Sequence, residues 1–336
     1  MSARSLAPVV LFVYNRPDHT RRTLESLAAN PLAGASVLHV YADGPKDKAR
    51  AAELDRIARA REVLRERDWC GEVHILESPK NKGLAASIID GVTDVVSRFG
   101  RVIVLEDDLV VSPGLLEYMN DALALYADDE EVMQISSYLP VPSRLPSTSE
   151  AGTFFLRGHE TCSGGWATWK RAWNRLDTDP ELLKARVYAS GRVDEFTWDS
   201  SGSWLTQLDQ NISGELTTWA IKWHTTIFLD DGLCLYPRRT LVRNVGFDGS
   251  GVHSGFDAGF DPGDPLAARI RVDRIPLADS TPDRLAFSAF YLERQRHAVG
   301  RHPWRLIKRC VPIRAKRLIR RTCVRTVSAA RRLSQT

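Results

Sequence analysis

Three acids stand in a row at Glu106-Asp107-Asp108, directly behind the apolar run Val102 to Leu105 and ahead of a second apolar group, Leu109-Val110-Val111. An apolar run of that length reads as a strand covered on both faces, so the acids fall where a buried strand ends. Adjacent carboxylates repel, and desolvation adds to the cost, unless a cation or a basic partner is supplied. One reading is a solvated strand end whose acids cap the next turn. The other is an oxygen-rich cation site, in which Mn²⁺ or Mg²⁺ takes few protein ligands and completes its shell with phosphate and water. A metal bridging two phosphates offsets the charge that develops as a bond to the diphosphate breaks.

The elements that must position the triplet alternate in type. Strands are expected at Val9 to Tyr14, Val37 to Ala42, Val73 to Leu76, Val102 to Leu105 and Val132 to Ile135. Helices are expected between them, over Thr20 to Ala29, Lys48 to Arg67, the 3.6-residue stripe Leu84, Ile88, Val92, Val95 and Val96, and Leu115 to Tyr126. This is α/β layering with a mostly parallel central sheet, in which ligands bind at the carboxyl ends of the strands. The Pro- and Ser-rich stretch from Pro140 to Glu150 reads as a loop and a seam. It divides a nucleotide-binding half, 1–139, from an acceptor half, 151–300. Seven of the nine tryptophans lie between Trp166 and Trp223, where they serve either as core or as a floor for the apolar face of a sugar. Residues 244–266, dense in Gly and Asp, read as a ligand-shaped loop.

The chain has 336 residues and a formal net charge of +4, unevenly distributed. From Arg301 onward there are 12 Lys or Arg and no acid, which leaves 34 basic against 42 acidic residues in the first 300, a net of −8. An acidic body speaks against nucleic acid as a partner. Residues 301–336 read either as a solvated terminus or as a basic amphipathic helix on an anionic membrane surface. Five scattered cysteines without CxxC spacing argue against a zinc cluster or a disulfide framework. No apolar run reaches 18 residues, and the first apolar run reads as a core strand rather than a signal peptide. A cytoplasmic protein, or one peripheral to the inner face of the plasma membrane, is the expectation.

Several ordered blocks then carry a resemblance. Leu105-Glu106-Asp107-Asp108-Leu109 with Ser112-Pro113, the opening Phe12-Val13-Tyr14-Asn15-Arg16-Pro17 and the segment Asn81-Lys82-Gly83-Leu84-Ala85-Ala86-Ser87 resemble the GT-A fold glycosyltransferases. Within them they are similar to the Golgi N-acetylglucosaminyltransferases that initiate complex N-glycans and to a group of bacterial glycosyltransferase-like proteins. The block Gly164 to Trp169 and the stretch from Trp219 to His253 resemble the bacterial group; in all, the likeness spans residues 8–257. It implies a GT-A-like single domain with a basic C-terminal extension and transfer of a sugar, from a UDP-hexose or UDP-N-acetylhexosamine, to a glycan or lipid-linked acceptor with inversion. Carried over by position, it implies Asp108 and His253 as metal ligands, and Glu106, Asp107, Asp43, Asn15 and Arg16 around the nucleotide sugar. Lys82 and Arg243 are candidate cations for the diphosphate. Trp166, Trp169 and Trp219 are candidates for the acceptor side.

Inverting transfer needs a carboxylate to take the acceptor hydroxyl proton. Glu215, Asp199 and Asp209 are the candidates. Thr217-Thr218 stand just before Trp219, where the resembled proteins have an acid. Two other functions stay open: a nucleotidyltransferase making a sugar nucleotide, against which stands the absence of glycine from Asn15-Arg16-Pro17-Asp18, and a carbohydrate-binding protein of the same fold without catalysis.

Overall fold

The computed structural model describes residues 5–140, 152–158, 164–198, 203–246, 248–249 and 265–301, with side chains described as far as residue 293. In chain order the first part is β1 (Val9–Val13), α1 (Pro17–Ala28), β2 (Val37–Ala42), α2 (Ala51–Leu64), β3 (Glu72–Glu77), α3 (Leu84–Phe99), β4 (Arg101–Glu106), β5 (Leu109–Val111), α4 (Leu115–Leu125) and β6 (Val132–Ser136). There follow β7 (Thr153–Arg157), β8 (Trp166–Trp169), α5 (Lys170–Trp173), α6 (Pro180–Ala189), α7 (Val193–Thr197), α8 (Trp204–Ile212), α9 (Ala220–Leu229), β9 (Leu233–Pro237), β10 (Val242–Asn244) and α10 (Thr281–Arg301).

Eight strands make one sheet in the order β3-β2-β1-β4-β8-β6-β9-β7, and β10 pairs with β5 in a separate two-stranded ribbon. β3, β2, β1 and β4 are parallel, as are β6 and β9, whereas β8 runs antiparallel to both β4 and β6, and β7 antiparallel to β9. The architecture is thus α/β with a largely parallel central sheet flanked by helices. All five residues of β1 are buried, as are the four from Val102 to Leu105 in β4. Continuous apolar strands are the ones a sheet can afford to cover on both faces. Against them lies α3, whose buried stripe includes Ala85, Ile88, Val92, Val95 and Val96.

Periodicity located β1 to β4, β6 and α1 to α4 but missed the short strand β5 and some ends. α1 starts at Pro17, three residues before the expected Thr20, because a proline in the first turn has no N–H to leave unpaired. β4 runs one residue further than expected and takes Glu106 into the sheet, paired with Phe12. The reversed strand β8 is a larger difference. It comes from beyond residue 150 yet lies between β4 and β6, so strands from both sides of the seam share one sheet. Residues 141–150 of the seam and most of 244–266 lie outside the described residues.

The chain gathers into two compact units, 1–288 and 289–336; the first holds the whole sheet. Among the described residues no helix is long and apolar enough to cross a membrane.

One packing detail has a pH consequence. His39 on β2 is 1% exposed and stacks on His74 of β3, ring centroids 4.8 Å apart, with Phe99 tilted over it at 5.5 Å. Burial, then the His74 and Arg98 charges, holds its pKa below the usual histidine value. The unfolded chain therefore binds a proton that the folded chain refuses. This contribution to stability is present above the ordinary histidine pKa and is lost as pH falls below it. Between about pH 7.5 and about pH 5.5 the melting temperature of His39→Phe should fall less than that of the unaltered chain; equal falls would contradict the account.

Candidate active site

β4 lies between β1 and β8, so the turn that follows it opens at the middle of the sheet. Asp107 and Asp108 occupy that turn and are only 5% and 7% exposed. The Asp107 carboxylate accepts the Tyr14 backbone N–H (3.2 Å), and its carbonyl accepts the Thr23 hydroxyl (2.9 Å). Arg16, from the loop between β1 and α1, donates to Asp108 Oδ2 at 3.0 Å and lies 3.7 Å from Asp107 Oδ1. The basic partner that three adjacent acids require is therefore Arg16. It compensates them incompletely. Burial, then Asp108 and Asp107, pushes the Glu106 carboxyl well above its ordinary value despite Arg16. Asp107 is pushed up to about 6, mainly by burial and against the pull of Arg16. Glu106 Oε1 and Asp108 Oδ1 are buried without a hydrogen-bond partner among the described residues, a costly arrangement for acceptors.

A later segment closes on the same turn. β10 pairs with β5, setting Asn244 opposite Leu109 and Arg243 opposite Val110, and the Val245 N–H donates to the Asp108 carbonyl at 2.8 Å. Gly246 follows, with its N–H held by Asn244 Oδ1 at 2.7 Å. A Cβ at this position would stand 2.2 Å from Asp108 Oδ2 and 2.8 Å from Arg16 Nη1. Only glycine lets the late segment lie on the carboxylate. Gly246→Ala should displace the Asp108 side chain, costing about 1–3 kcal/mol of stability. Thermal melting reads the loss, and an unchanged melting temperature would contradict the close approach.

The other expected residues divide. Asn15 is half-buried in the loop beside Arg16. Asp43 has a different task from the expected nucleotide contact: its two oxygens accept from Gly44 N (2.8 Å), Lys82 N (2.8 Å), Asn81 Nδ2 (2.9 Å) and Gly83 N (3.0 Å). That uses the four lone-pair sites of a carboxylate, and it fixes the turn leading into α3. The Lys82 ammonium pairs with Asp90 along α3 at 3.0 Å, on an exposed surface. His253 and Asp199 lie outside the described residues. Asp209 on α8 is ion-paired with Lys184 of α6. Glu215 is exposed, in the loop between α8 and α9.

The tryptophans expected on the acceptor side are core instead. Trp166, Trp169 and Trp219 are 0%, 4% and 3% exposed. Trp219 stacks on Trp166 at 4.9 Å and 20°, Trp166 meets Trp173 at 5.6 Å, and Trp173 meets Trp223 at 5.0 Å. Arg171 covers the Trp169 ring at 4.4 Å. Rings covered in this way have no open face for a pyranose. Their work is positional: Trp166 pairs with Val104 of β4, two residues ahead of Glu106, so the Trp219 stack fixes the start of α9 at the triplet's end of the sheet.

Tyr14, Thr23, His19 and Gly246 belong to the site without having been singled out in the sequence. Tyr14 and Thr23 act through a backbone N–H and a hydroxyl that give no pattern. His19 joins the late segment, with Nε2 3.2 Å from both the Val245 carbonyl and Asp248. The one available sign was the position of Gly246 in the Gly- and Asp-dense stretch 244–266.

Among the described residues no group of three or more His, Cys, Asp or Glu converges on one point. The site still suits a hard cation: the donors are carboxylates, two of their buried oxygens lack partners, and such ions accept phosphate and water for the rest of their shell.

A central acidic turn at the carboxyl end of a largely parallel sheet, closed by a returning ribbon, is the plan of a GT-A glycosyltransferase. The chain belongs to the glycosyl transferase family 2, whose model matches residues 9–191; enzymes of this class move a sugar from a nucleotide-diphosphate donor to an acceptor. Among solved structures, a mannosyltransferase from Pyrobaculum calidifontis in complex with GDP-Man and Mn²⁺ is 12% identical, with 68% of this chain and 70% of that chain covered and a TM-score of 0.37. The galactosyltransferase LgtC, with donor and acceptor sugar analogues, is 11% identical, with coverages of 68% and 72% and a TM-score of 0.35. Mouse xyloside xylosyltransferase 1 is 13% identical, with coverages of 66% and 80% and a TM-score of 0.32. No curated protein matches the chain.

Proposed function

We propose that this chain is a metal-dependent glycosyltransferase that takes a hexose or N-acetylhexosamine from a UDP-linked donor and transfers it, with inversion, to a glycan or lipid-linked acceptor. The observation that carries the reading is the Asp108 carboxylate, with one oxygen on Arg16 and the other buried and unpartnered at the end of the central strand. Asp108 would hold Mn²⁺ or Mg²⁺, with His253 as a second ligand from the late segment. When bound, that ion supplies charge stabilisation for the departing diphosphate. Arg16 bridges the two aspartates and would offer a second cation to the phosphates. Glu106 would offer its carboxyl to a sugar or ribose hydroxyl, and Asp107 anchors the loop after β1 through Tyr14 N.

Glu215 is the preferred general base. Its loop leads into Trp219, which is stacked at the triplet's end of the sheet, whereas Asp209 is already paired with Lys184. Residues 301–336, with 12 cations and no acid, would bring the enzyme to an anionic cytoplasmic membrane face where lipid-linked acceptors reside. Truncation after Gly300 should then abolish sedimentation with anionic liposomes while donor hydrolysis continues; undiminished sedimentation would remove that role.

A panel of nucleotide sugars, incubated with Mn²⁺ and a lipid-linked oligosaccharide extract, tests the reading. Release of UDP from one hexosyl or N-acetylhexosaminyl donor, with a product of inverted anomeric configuration by NMR, is expected. UDP binding without turnover of any donor would favour a non-catalytic carbohydrate-binding role, to which Thr217-Thr218 ahead of Trp219 point.

A further inference from the structure

Five cations stand in the two loops that follow β2 and β3: Lys46, Lys48 and Arg50 in the first, Lys80 and Lys82 in the second. Asp47 is the one exposed acid in these loops. The first 300 residues as a whole are net −8, so the loops make a positive rim on an acidic body.

The two loops share one surface. Gly44 presses on the second loop, where a Cβ would stand 2.6 Å from Ser78 O, Lys80 N and Lys80 C. Asn81 N donates to the Pro45 carbonyl at 3.0 Å. Arg61 of α2 donates to the Ser78 carbonyl at 2.8 Å and to the Asp43 carbonyl at 3.3 Å. The Asp43 carboxylate in turn holds Lys82 N and Gly83 N. Both backbones are thereby fixed, and all five cationic side chains are exposed. Lys82 pairs with Asp90. Lys46, Lys48, Arg50 and Lys80 have no ion-pair partner among the described residues.

The rim lies at the triplet's end of the sheet. β3, β2, β1 and β4 are parallel neighbours, so the loops after β2 and β3 leave from the same end as Glu106-Asp107-Asp108. At the usual strand spacing, β2 and β3 stand about 10 and about 14 Å from β4. Backbone contacts span that gap: Asp43 N donates to Val13 O at 2.8 Å, and Tyr14 N donates to Asp107 at 3.2 Å. Charges act over about 10 Å in 0.1 M salt and about 30 Å in 0.01 M salt, so the field of the rim covers the approach to the triplet.

A diphosphate is polyanionic. Approaching an acidic body and a turn of three acids, it meets repulsion unless free cations stand nearby, and Arg16 is already engaged by Asp107 and Asp108. Cations beside a cleft raise the local concentration of an anion and its association rate. Given the nucleotide-sugar donor put forward above, we propose that Lys46, Lys48 and Lys80 steer that anionic donor toward the acidic turn, acting before contact. A steering charge changes the association rate and its salt dependence, whereas a contact residue changes dissociation.

Stopped-flow fluorescence on the full chain tests this. The chain is equilibrated with Mn²⁺ and mixed with methylanthraniloyl-UDP that arrives free of metal. The triple variant Lys46→Ser, Lys48→Ser, Lys80→Ser leaves Lys82 in place. Its association rate constant should be about tenfold lower at about 20 mM salt. Dissociation should stay within about twofold, and the difference in association should vanish at about 0.5 M salt. Affinity for UDP itself, read by calorimetry at low salt, should fall by the same factor as the association rate. Lys170→Ser removes an exposed cation at the amino end of β4, where Lys170 N donates to Gly100 O, and should leave association unchanged. Equal association rates in the triple variant and the unaltered chain at low salt would overturn the steering while the donor site stands, as would a loss of affinity carried by faster dissociation. Failure of UDP to bind the unaltered chain would remove the donor site and the steering together.

Discussion

Asp108→Asn should lower kcat/KM with the preferred nucleotide sugar by at least about 100-fold, the loss of roughly 3 kcal/mol of transition-state stabilisation. The substitution keeps the shape of a side chain that is 7% exposed, so the melting temperature should change little. Loss of activity without loss of fold separates this prediction from a general packing defect. The amide can still accept from Arg16 at the Oδ2 position, but it brings no charge to a cation. Affinity for UDP in Mn²⁺ should therefore fall to the level seen without metal. Turnover within about threefold of the unaltered enzyme would show that the diphosphate is stabilised by other groups.

Removing the opposite partner has a different signature. Arg16→Met should destabilise the fold by about 2–3 kcal/mol, below the cost of a fully buried pair because Arg16 keeps 20% side-chain exposure. The sign of its pH dependence follows from the acids. Glu106 and Asp107 already have raised pKa values, so the folded chain holds protons that the unfolded chain would release. Their contribution to stability accordingly declines as pH rises through about 6. Without Arg16 those pKa values rise further, and the variant should lose melting temperature more steeply than the parent between about pH 6 and about pH 8. Mn²⁺, replacing the missing cation, should raise the melting temperature of Arg16→Met more than that of the parent. Parallel pH profiles would contradict the assignment of Arg16 as the compensating charge.

How much of this was legible in the sequence depended on the kind of signal each residue leaves. Strands β1, β2 and β4 and helix α3 were readable because burial on both faces, or a stripe with helical period, imposes a composition. The triplet was readable because three adjacent acids behind such a strand are costly. Strands β7 and β8 were not, since four or five residues near loops leave no period, and the reversal of β8 between β4 and β6 is set by long-range pairing. The tryptophans misled for a related reason. The residue type that stacks on a sugar also stacks on its own kind, and sequence cannot tell Trp166 against Trp219 from Trp166 against a pyranose. Asp43 was expected beside the nucleotide sugar, and its four donors, three of them backbone N–H groups, leave no trace in side-chain identity. Gly246 shows the converse, a residue whose value lies in the atom it lacks.

Calorimetric titration of UDP into the unaltered chain, with and without Mn²⁺, reads the proposed metal site without needing a donor sugar or an acceptor. A single site is expected, with affinity at least about tenfold higher when Mn²⁺ is present. Equal affinity with and without metal, or no binding of UDP in either condition, would contradict a diphosphate metal site at Asp108.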